Sequence, residues 1–236
     1  MFTEPAELYD AIYFGFKAYG TEADQIAALL RTVHPTCRTV LDIACGTGEH
    51  ARLLATRHGF DVDGIDLNGD FLRLARLKHP AGRFTQADMA DFTLGRRYDA
   101  VICLFSSIAY LRTLSDVTRA LARFRAHLAE GGVVVVEPWF EPGVMESGHH
   151  STRAGEANGV RVERAATTEI DGRISRLRFD YVIEGPEGIR RASEIHELGL
   201  FTVAEMLAAF EAAGLVARHE ASGLTGRGLY VARCAA

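Results

Sequence analysis

Three carboxylates and two glycines stand where their spacing could do chemistry. The run Val40-Leu41-Asp42-Ile43-Ala44-Cys45-Gly46-Thr47-Gly48 reads as an apolar strand, then a turn with two glycines, then a helix. Glycines there let a ligand touch the backbone, and the helix start offers N–H groups that no carbonyl inside the helix takes up. Asp66 ends the next apolar run, where a carboxylate can accept both hydroxyls of a ribose. Asp88 follows the third. A nicotinamide dinucleotide would suit the glycines and Asp66, and an NAD-dependent oxidoreductase is one reading. Against it, position 51 is Ala rather than the third glycine, and Asp42 precedes the loop. An acid at that point suits a cationic amino-acid ligand, not a pyrophosphate.

The elements that must position these residues alternate. Helical spacing covers 22–33, with Ile26, Leu29, Leu30 and Val33 on one face. A strand is expected at 39–44, a helix through Leu53 and Leu54, and a second strand at 60–66. Asn68 caps the next helix and Pro80 ends it. Short strands at 84–87 and 99–105, a helix at 115–128 and a valine strand at 133–137 complete the series. Such alternation predicts a parallel sheet with helices on both faces. After Pro138 the pattern changes. Runs at 160–170, 174–183 and 189–201 are joined by Asp171-Gly172 and a glycine-rich turn, which predicts antiparallel hairpins. They should form a small antiparallel β insert, within about 140–200, packed over one edge of the main sheet. Thr202 caps a further helix, and strands at 215–220 and 229–234 close the sheet.

The whole chain, 1–236, reads as one domain whose composition is globular: 48% hydrophobic and 24% charged. Apolar runs are strand-length, far short of the roughly 20 residues that cross a bilayer. The first residues lack a basic and apolar leader, and the four cysteines lack a Cys-x-x-Cys pair, so a reduced, cytoplasmic setting without a metal is expected. The formal charge of −5 disfavours nucleic acid as a partner. His149-His150 has no acid spaced for a metal and reads as a loop pair.

Asp42-x-Ala44-Cys45-Gly46-Thr47-Gly48, Asp66 and Asp88-Met89 resemble the motifs of class I S-adenosylmethionine-dependent methyltransferases. Ala6-Glu7-Leu8-Tyr9-Asp10, Leu104-Phe105-Ser106-Ser107-Ile108, Glu137-Pro138-Trp139 and Gly226-Arg227-Gly228-Leu229 resemble one subgroup, the N,N-dimethyltransferases of nucleotide-linked 3-amino-deoxysugars. These supply the desosamine and mycaminose of macrolide antibiotics. The resemblance implies a doubly wound, Rossmann-like seven-stranded sheet whose last strand is antiparallel. It implies S-adenosylmethionine as cofactor and a small-molecule amine as acceptor. The cofactor wall would comprise Tyr13, Tyr19, Asp42, Ala44, Gly46, Gly48, Asp66, Leu67, Asp88, Met89 and Leu104. Asp66 would take the ribose and Asp88 the adenine amino group. Tyr9, Ser106, Ser107, Trp139 and Arg227 would face the substrate, with Arg227 the anchor of a diphosphate.

Methyl transfer from a sulfonium is an in-line displacement that needs alignment and a dry site. An amine acceptor must be neutral to attack, so a nearby proton acceptor would help. Tyr110, Glu137 and His196 are the candidates. Tyr110 follows the fourth strand, where an open α/β sheet has its crevice. Glu137 ends the valine strand. His196 stands between Glu194 and Glu197 in what reads as a solvated, charged strand. Tyr9 and Tyr13, four apart, share a helix face and could close over the cofactor. Other readings stay open here: O-methylation, another small amine, or a cofactor-binding regulator without catalysis. Amino-methylation of DNA is disfavoured, because no Asn/Asp-Pro-Pro-Tyr/Phe segment follows the fourth strand. The exposed edges of the insert could pair with a second copy as a homodimer.

Overall fold

A computed structural model describes residues 6–157 and 159–235. The reading of the first five residues lies outside them. Five parallel strands form the centre of the main sheet: β1 (Thr39–Ile43), β2 (Asp61–Asp66), β3 (Phe84–Gln86), β4 (Tyr98–Cys103) and β5 (Leu128–Val136). The last two strands, β10 (Leu215–Glu220) and β11 (Leu229–Cys234), join beyond β5, giving the order β10-β11-β5-β4-β1-β2-β3. Only β11 runs antiparallel, pairing β5 on one side and β10 on the other. This is the doubly wound seven-stranded arrangement that the family resemblance implies.

Both faces of the sheet are covered, so its strands are apolar on both sides. Val40, Ala100, Ile102, Val133 and Val135 share a core with α2 (Tyr19–Val33) and α3 (Glu49–His58). Leu41, Ile43, Val101, Cys103, Val134 and Val136 pack with α5 (Leu114–Ala126) and α6 (Val203–Ala212) on the other face. The Asn68 side chain caps α4 (Gly69–Lys78) by accepting from the N–H groups of Asp70 and Phe71. Thr202 and Glu205 close a reciprocal cap on α6. No helix among the described residues is long and apolar enough to cross a membrane.

Four expectations are corrected. Helix α2 starts at Tyr19 rather than 22. The insert has four strands, β6 (His150–Ala157), β7 (Val160–Asp171), β8 (Ile174–Gly185) and β9 (Gly188–Gly199). His150 therefore opens a strand instead of sitting in a loop. Strand β6 is polar on both faces and so carries no alternation to read. Nor does the insert extend or flank a sheet edge. Its strands pair only with one another; β6 and β7 pack on α1 (Ala6–Phe14), and β9 packs on the turn Ser107–Tyr110. Gly155 permits this seating, because a Cβ there would fall 2.0 Å from the Ala11 carbonyl oxygen. The insert thus roofs the carboxyl ends of β1, β2 and β4.

Candidate active site

Strand β1 stops at Ile43 because the chain turns left-handed at Ala44 (φ 54°) and again at Gly46 (φ 57°) and Gly48 (φ 75°). The Gly46 N–H donates to Asp66 Oδ2 at 2.8 Å, and the Asn68 N–H to Asp66 Oδ1 at 2.8 Å. Asp66 therefore ties the glycine loop to the end of β2. Burial raises its pKa, and the N–H donors oppose that rise. Gly48 does not face the cavity: it starts α3, and a Cβ on it would lie 2.7 Å from the Ala75 Cβ of α4. Its small size serves helix packing rather than ligand contact.

Asp66, Leu67, Asp88, Met89, Ala44 and Gly46 line one side of a cavity of about 610 Å³. Asp88 Oδ1 accepts the Ala90 N–H at 2.8 Å. A side chamber of about 40 Å³ opens beside Gly46, lined by Tyr19, Asp42, Leu104, Lys17 and His50 among others. Asp42 is 2% exposed and its Oδ2 has no hydrogen-bond partner. Burial, reinforced by Asp66, pushes its carboxyl up to about 8. Lys17 faces the same chamber with Nζ at 2.7 and 2.5 Å from the Glu22 oxygens and 3.8 Å from the Phe105 ring centre. Burial lowers the Lys17 pKa while Glu22 opposes the fall. Against its own burial, His50 and Lys17 hold the Glu22 carboxyl down at about 2. An orphaned acid and a cation facing one small chamber fit a zwitterionic amino acid, and Asp66 with Asp88 fits a nucleoside. The residues present suit S-adenosylmethionine.

Aromatic rings form the floor. Tyr9 and Tyr13 are 4.2 Å apart between ring centres, Tyr9 and Phe71 4.9 Å. Tyr13 meets Phe105 edge-on at 5.4 Å. Phe105 (φ 52°) and Ser106 (φ 61°) are left-handed without being glycine, as is Ala44, and all three border a cavity. Such strain persists only where surrounding bonds enforce it. The Phe105 N–H donates to Glu137 at 2.7 Å, and the Ser106 hydroxyl to the Pro138 carbonyl at 2.6 Å. Ser107 and Trp139 also face the cavity.

Glu137, a candidate proton acceptor by sequence, is fully buried and lines neither chamber. Its oxygens accept from Phe105, from Thr225 Oγ1 at 2.6 Å and from Arg227 at 2.9 Å. With these donors it is a clamp for the strained turn. Arg227 reaches the cavity wall, beside Phe105 and Trp139, with one guanidinium nitrogen committed to Glu137.

The expectation of a solvated strand around His196 is overturned. His196 is 1% exposed and Glu194 7%, while their neighbour Ile195 is 54% exposed. The strand alternates as usual, but its polar residues point inward, where Tyr110 and Tyr181 meet them. Tyr110 Oη and His196 Nδ1 lie 2.8 Å apart; Nε2 is within ion-pair distance, 3.1 Å, of Glu194 Oε1, an oxygen that accepts from the Tyr181 hydroxyl. The cavity therefore meets Tyr110, 39% exposed on its wall, with the buried His196 and Glu194 behind it. Glu22, His50, Arg153 and Arg164 were not singled out by sequence, and Glu194 entered only as a neighbour of His196. None sits in a glycine turn or a short motif, and only the folded register brings them to the site.

Residues 40–132 match a family described as a methyltransferase domain. The chain is 42% identical over 229 residues to the dTDP-3-amino-3,6-dideoxy-alpha-D-glucopyranose N,N-dimethyltransferase of Streptomyces fradiae, covering 96% of this chain and 89% of that protein. It is 36% identical to the dTDP-4-amino-2,3,4,6-tetradeoxy-D-glucose N,N-dimethyltransferase of Saccharopolyspora spinosa, covering 96% and 91%. The crystal structure of Streptomyces venezuelae DesVI superposes with a TM-score of 0.91 at 39% identity, over all of both chains. SAM-bound CalS10, an amino pentose methyltransferase from Micromonospora echinaspora, gives a TM-score of 0.85 at 37% identity over 98% of this chain and 97% of that one.

Proposed function

This chain belongs to the S-adenosylmethionine-dependent methyltransferases, and from that premise we propose that it methylates the amine of a nucleotide-linked amino-deoxysugar. The observation that carries this reading is the division of one cavity. Acids and the glycine loop form one side, while Tyr110, backed by His196 and Glu194, and arginines from the insert border the other. The relatives named above act on dTDP-linked 3-amino and 4-amino sugars.

S-adenosylmethionine, when bound, supplies a methyl group already activated on a sulfonium. The chain's own residues then have two tasks. The glycine loop, Asp66 and the aromatic floor hold the partners in line and exclude water, which can supply roughly 7–11 kcal/mol. Tyr110 and His196 receive the proton that keeps the amine nucleophilic. Burial raises the Tyr110 pKa, so the phenol is neutral. With the His196 proton on Nε2, toward Glu194, Nδ1 accepts the Tyr110 proton as the Tyr110 oxygen takes one from the ammonium. The amine becomes neutral and the imidazolium rests against Glu194. Substrate contacts are assigned to Tyr9, Ser107, Trp139 and Arg227.

Incubation with S-adenosylmethionine and dTDP-3-amino-3,6-dideoxyglucose, followed by mass spectrometry, should show products heavier by one and two methyl groups. No methylation of this sugar or its 4-amino isomer, by protein that still binds S-adenosylhomocysteine, would overturn the sugar reading. Strands β6 and β9 each keep one unpaired edge, and a homodimer through such an edge would show as a doubled mass by light scattering.

A further inference from the structure

We propose that the cavity face of the insert carries an anion receptor, made of Arg153 and Arg164, that takes the diphosphate of the substrate; the inference rests on the nucleotide-sugar reading above. The antiparallel register sets Arg153 directly opposite Arg164, so both side chains leave the same face of the sheet, and both line the cavity. Like charges in directly opposed positions weaken strand pairing. Among the described residues, aromatic rings rather than carboxylates face the two guanidinium groups.

Arg164 is only 6% exposed. One of its nitrogens donates to the Tyr13 hydroxyl at 2.9 Å, while Nε is buried without an acceptor. Among the described residues no carboxylate lies within 4.0 Å of its guanidinium. The Phe179 ring centre is 4.3 Å from Cζ, and a ring face attracts the charge without accepting a full hydrogen bond. The nearby buried acid, Glu194, is engaged by His196 and Tyr181. Arg153 lies over Phe16 and donates to a backbone carbonyl. Elsewhere on the insert the pattern is different: Arg161, Arg176 and Arg178 each hold a carboxylate.

A buried guanidinium without a counter-charge is unfavourable, and a ligand that brings the charge removes the penalty. Guanidinium groups match phosphate oxygens bidentately. The opposite side of the cavity carries Asp66 and Asp88, which repel phosphate. The anionic part of the substrate is thereby directed to the insert. Arg227, in contrast, already holds Glu137.

Thymidine 5′-diphosphate is the probe, titrated calorimetrically with thymidine as the phosphate-free control. Arg164→Met should weaken dTDP binding roughly ten- to a hundredfold, the size of lost charge-assisted hydrogen bonds. S-adenosylhomocysteine affinity should stay unchanged, and Arg164→Lys should recover part of the loss. Arg153→Ala changes an exposed residue and should weaken dTDP in the same direction, which keeps the test open if Arg164→Met folds poorly. Unchanged dTDP affinity in both folded variants, with wild type still methylating the sugar nucleotide, overturns the receptor alone. Wild type that neither binds dTDP nor methylates the sugar overturns the receptor and the function together.

Discussion

The hydroxyl of Tyr110 lies 2.8 Å from Nδ1 of His196, although 86 residues separate the two in sequence. The insert closes that distance by laying β9 against the turn after β4. Because His196 is buried and backed by Glu194, the imidazole can receive a proton without exposing the cavity to water. Tyr110→Phe keeps the ring and removes the proton path. It should lower kcat roughly a hundredfold, the lower range of proton-transfer catalysis. His196→Gln should do the same, and S-adenosylhomocysteine affinity should not change in either. A Tyr110→Phe enzyme with wild-type kcat through the neutral pH range would leave alignment and desolvation as the whole of catalysis.

Asp42 should make cofactor binding release a proton. Burial first, and then Asp66, holds its carboxyl at about 8, so at neutral pH it is mostly protonated. A bound ammonium favours the ionised form and drives the proton off. Affinity should therefore rise with pH, by up to about tenfold per unit, until the pH passes the raised value. The sign for stability is opposite. With a folded pKa above the unfolded value of about 3.9, the contribution of Asp42 is full in acid and lost as pH rises toward 8. Asp42→Asn should melt above wild type in alkaline buffer, with the gap closing in acid. Calorimetry of S-adenosylhomocysteine in buffers of different ionisation heat checks the first point; a heat independent of buffer would remove Asp42 from this role.

The parts of the site that were legible in the sequence are those fixed by local backbone geometry. The glycine turn, Asp42, Asp66 and Asp88 sit at strand ends, and strand ends can be read from apolar runs. The insert was harder, because its inner face buries polar side chains, Arg164, Thr168, Glu194 and His196 among them. In β9 the buried positions carry Glu194 and His196 while Ile195 faces solvent, the reverse of the usual pattern. Strand β6 has no apolar periodicity at all. Glu137 was misleading for a related reason. Its place at the end of an apolar strand signals a purpose, but only Thr225 and Arg227, brought in from far along the chain, show that the purpose is to hold a turn.

Arg227 and Glu137 should act together in stability. The carboxylate is fully buried and the arginine side chain is 10% exposed. Arg227→Ala leaves a buried charge with neutral donors only, which should destabilise the fold by about 3–5 kcal/mol. Glu137→Gln preserves shape and some hydrogen bonds but leaves Arg227 uncompensated. The double variant Glu137→Gln, Arg227→Met should be less destabilised than the sum of the singles. Urea unfolding of the set checks this, and strict additivity would show that the pair is not a coupled unit.

Gly46 and Gly48 should respond differently to the same substitution. Both are left-handed, so alanine at either brings roughly 1–2 kcal/mol of backbone strain. At Gly46 a Cβ would have room, the nearest atom being 4.0 Å away on Phe71, but it would stand on the wall of both chambers. At Gly48 it would meet the Ala75 Cβ at 2.7 Å and its Cα at 2.9 Å. That forces α3 and α4 apart and adds roughly 1–3 kcal/mol of overpacking. Gly46→Ala should therefore lower S-adenosylhomocysteine affinity with a modest change in melting temperature. Gly48→Ala should lower the melting temperature further, and its loss of affinity should follow from displacement of α3. Melting curves and calorimetry on the two variants separate these roles; a Gly48→Ala protein as stable as Gly46→Ala would mean that the helices yield and that the second glycine is needed for something other than packing.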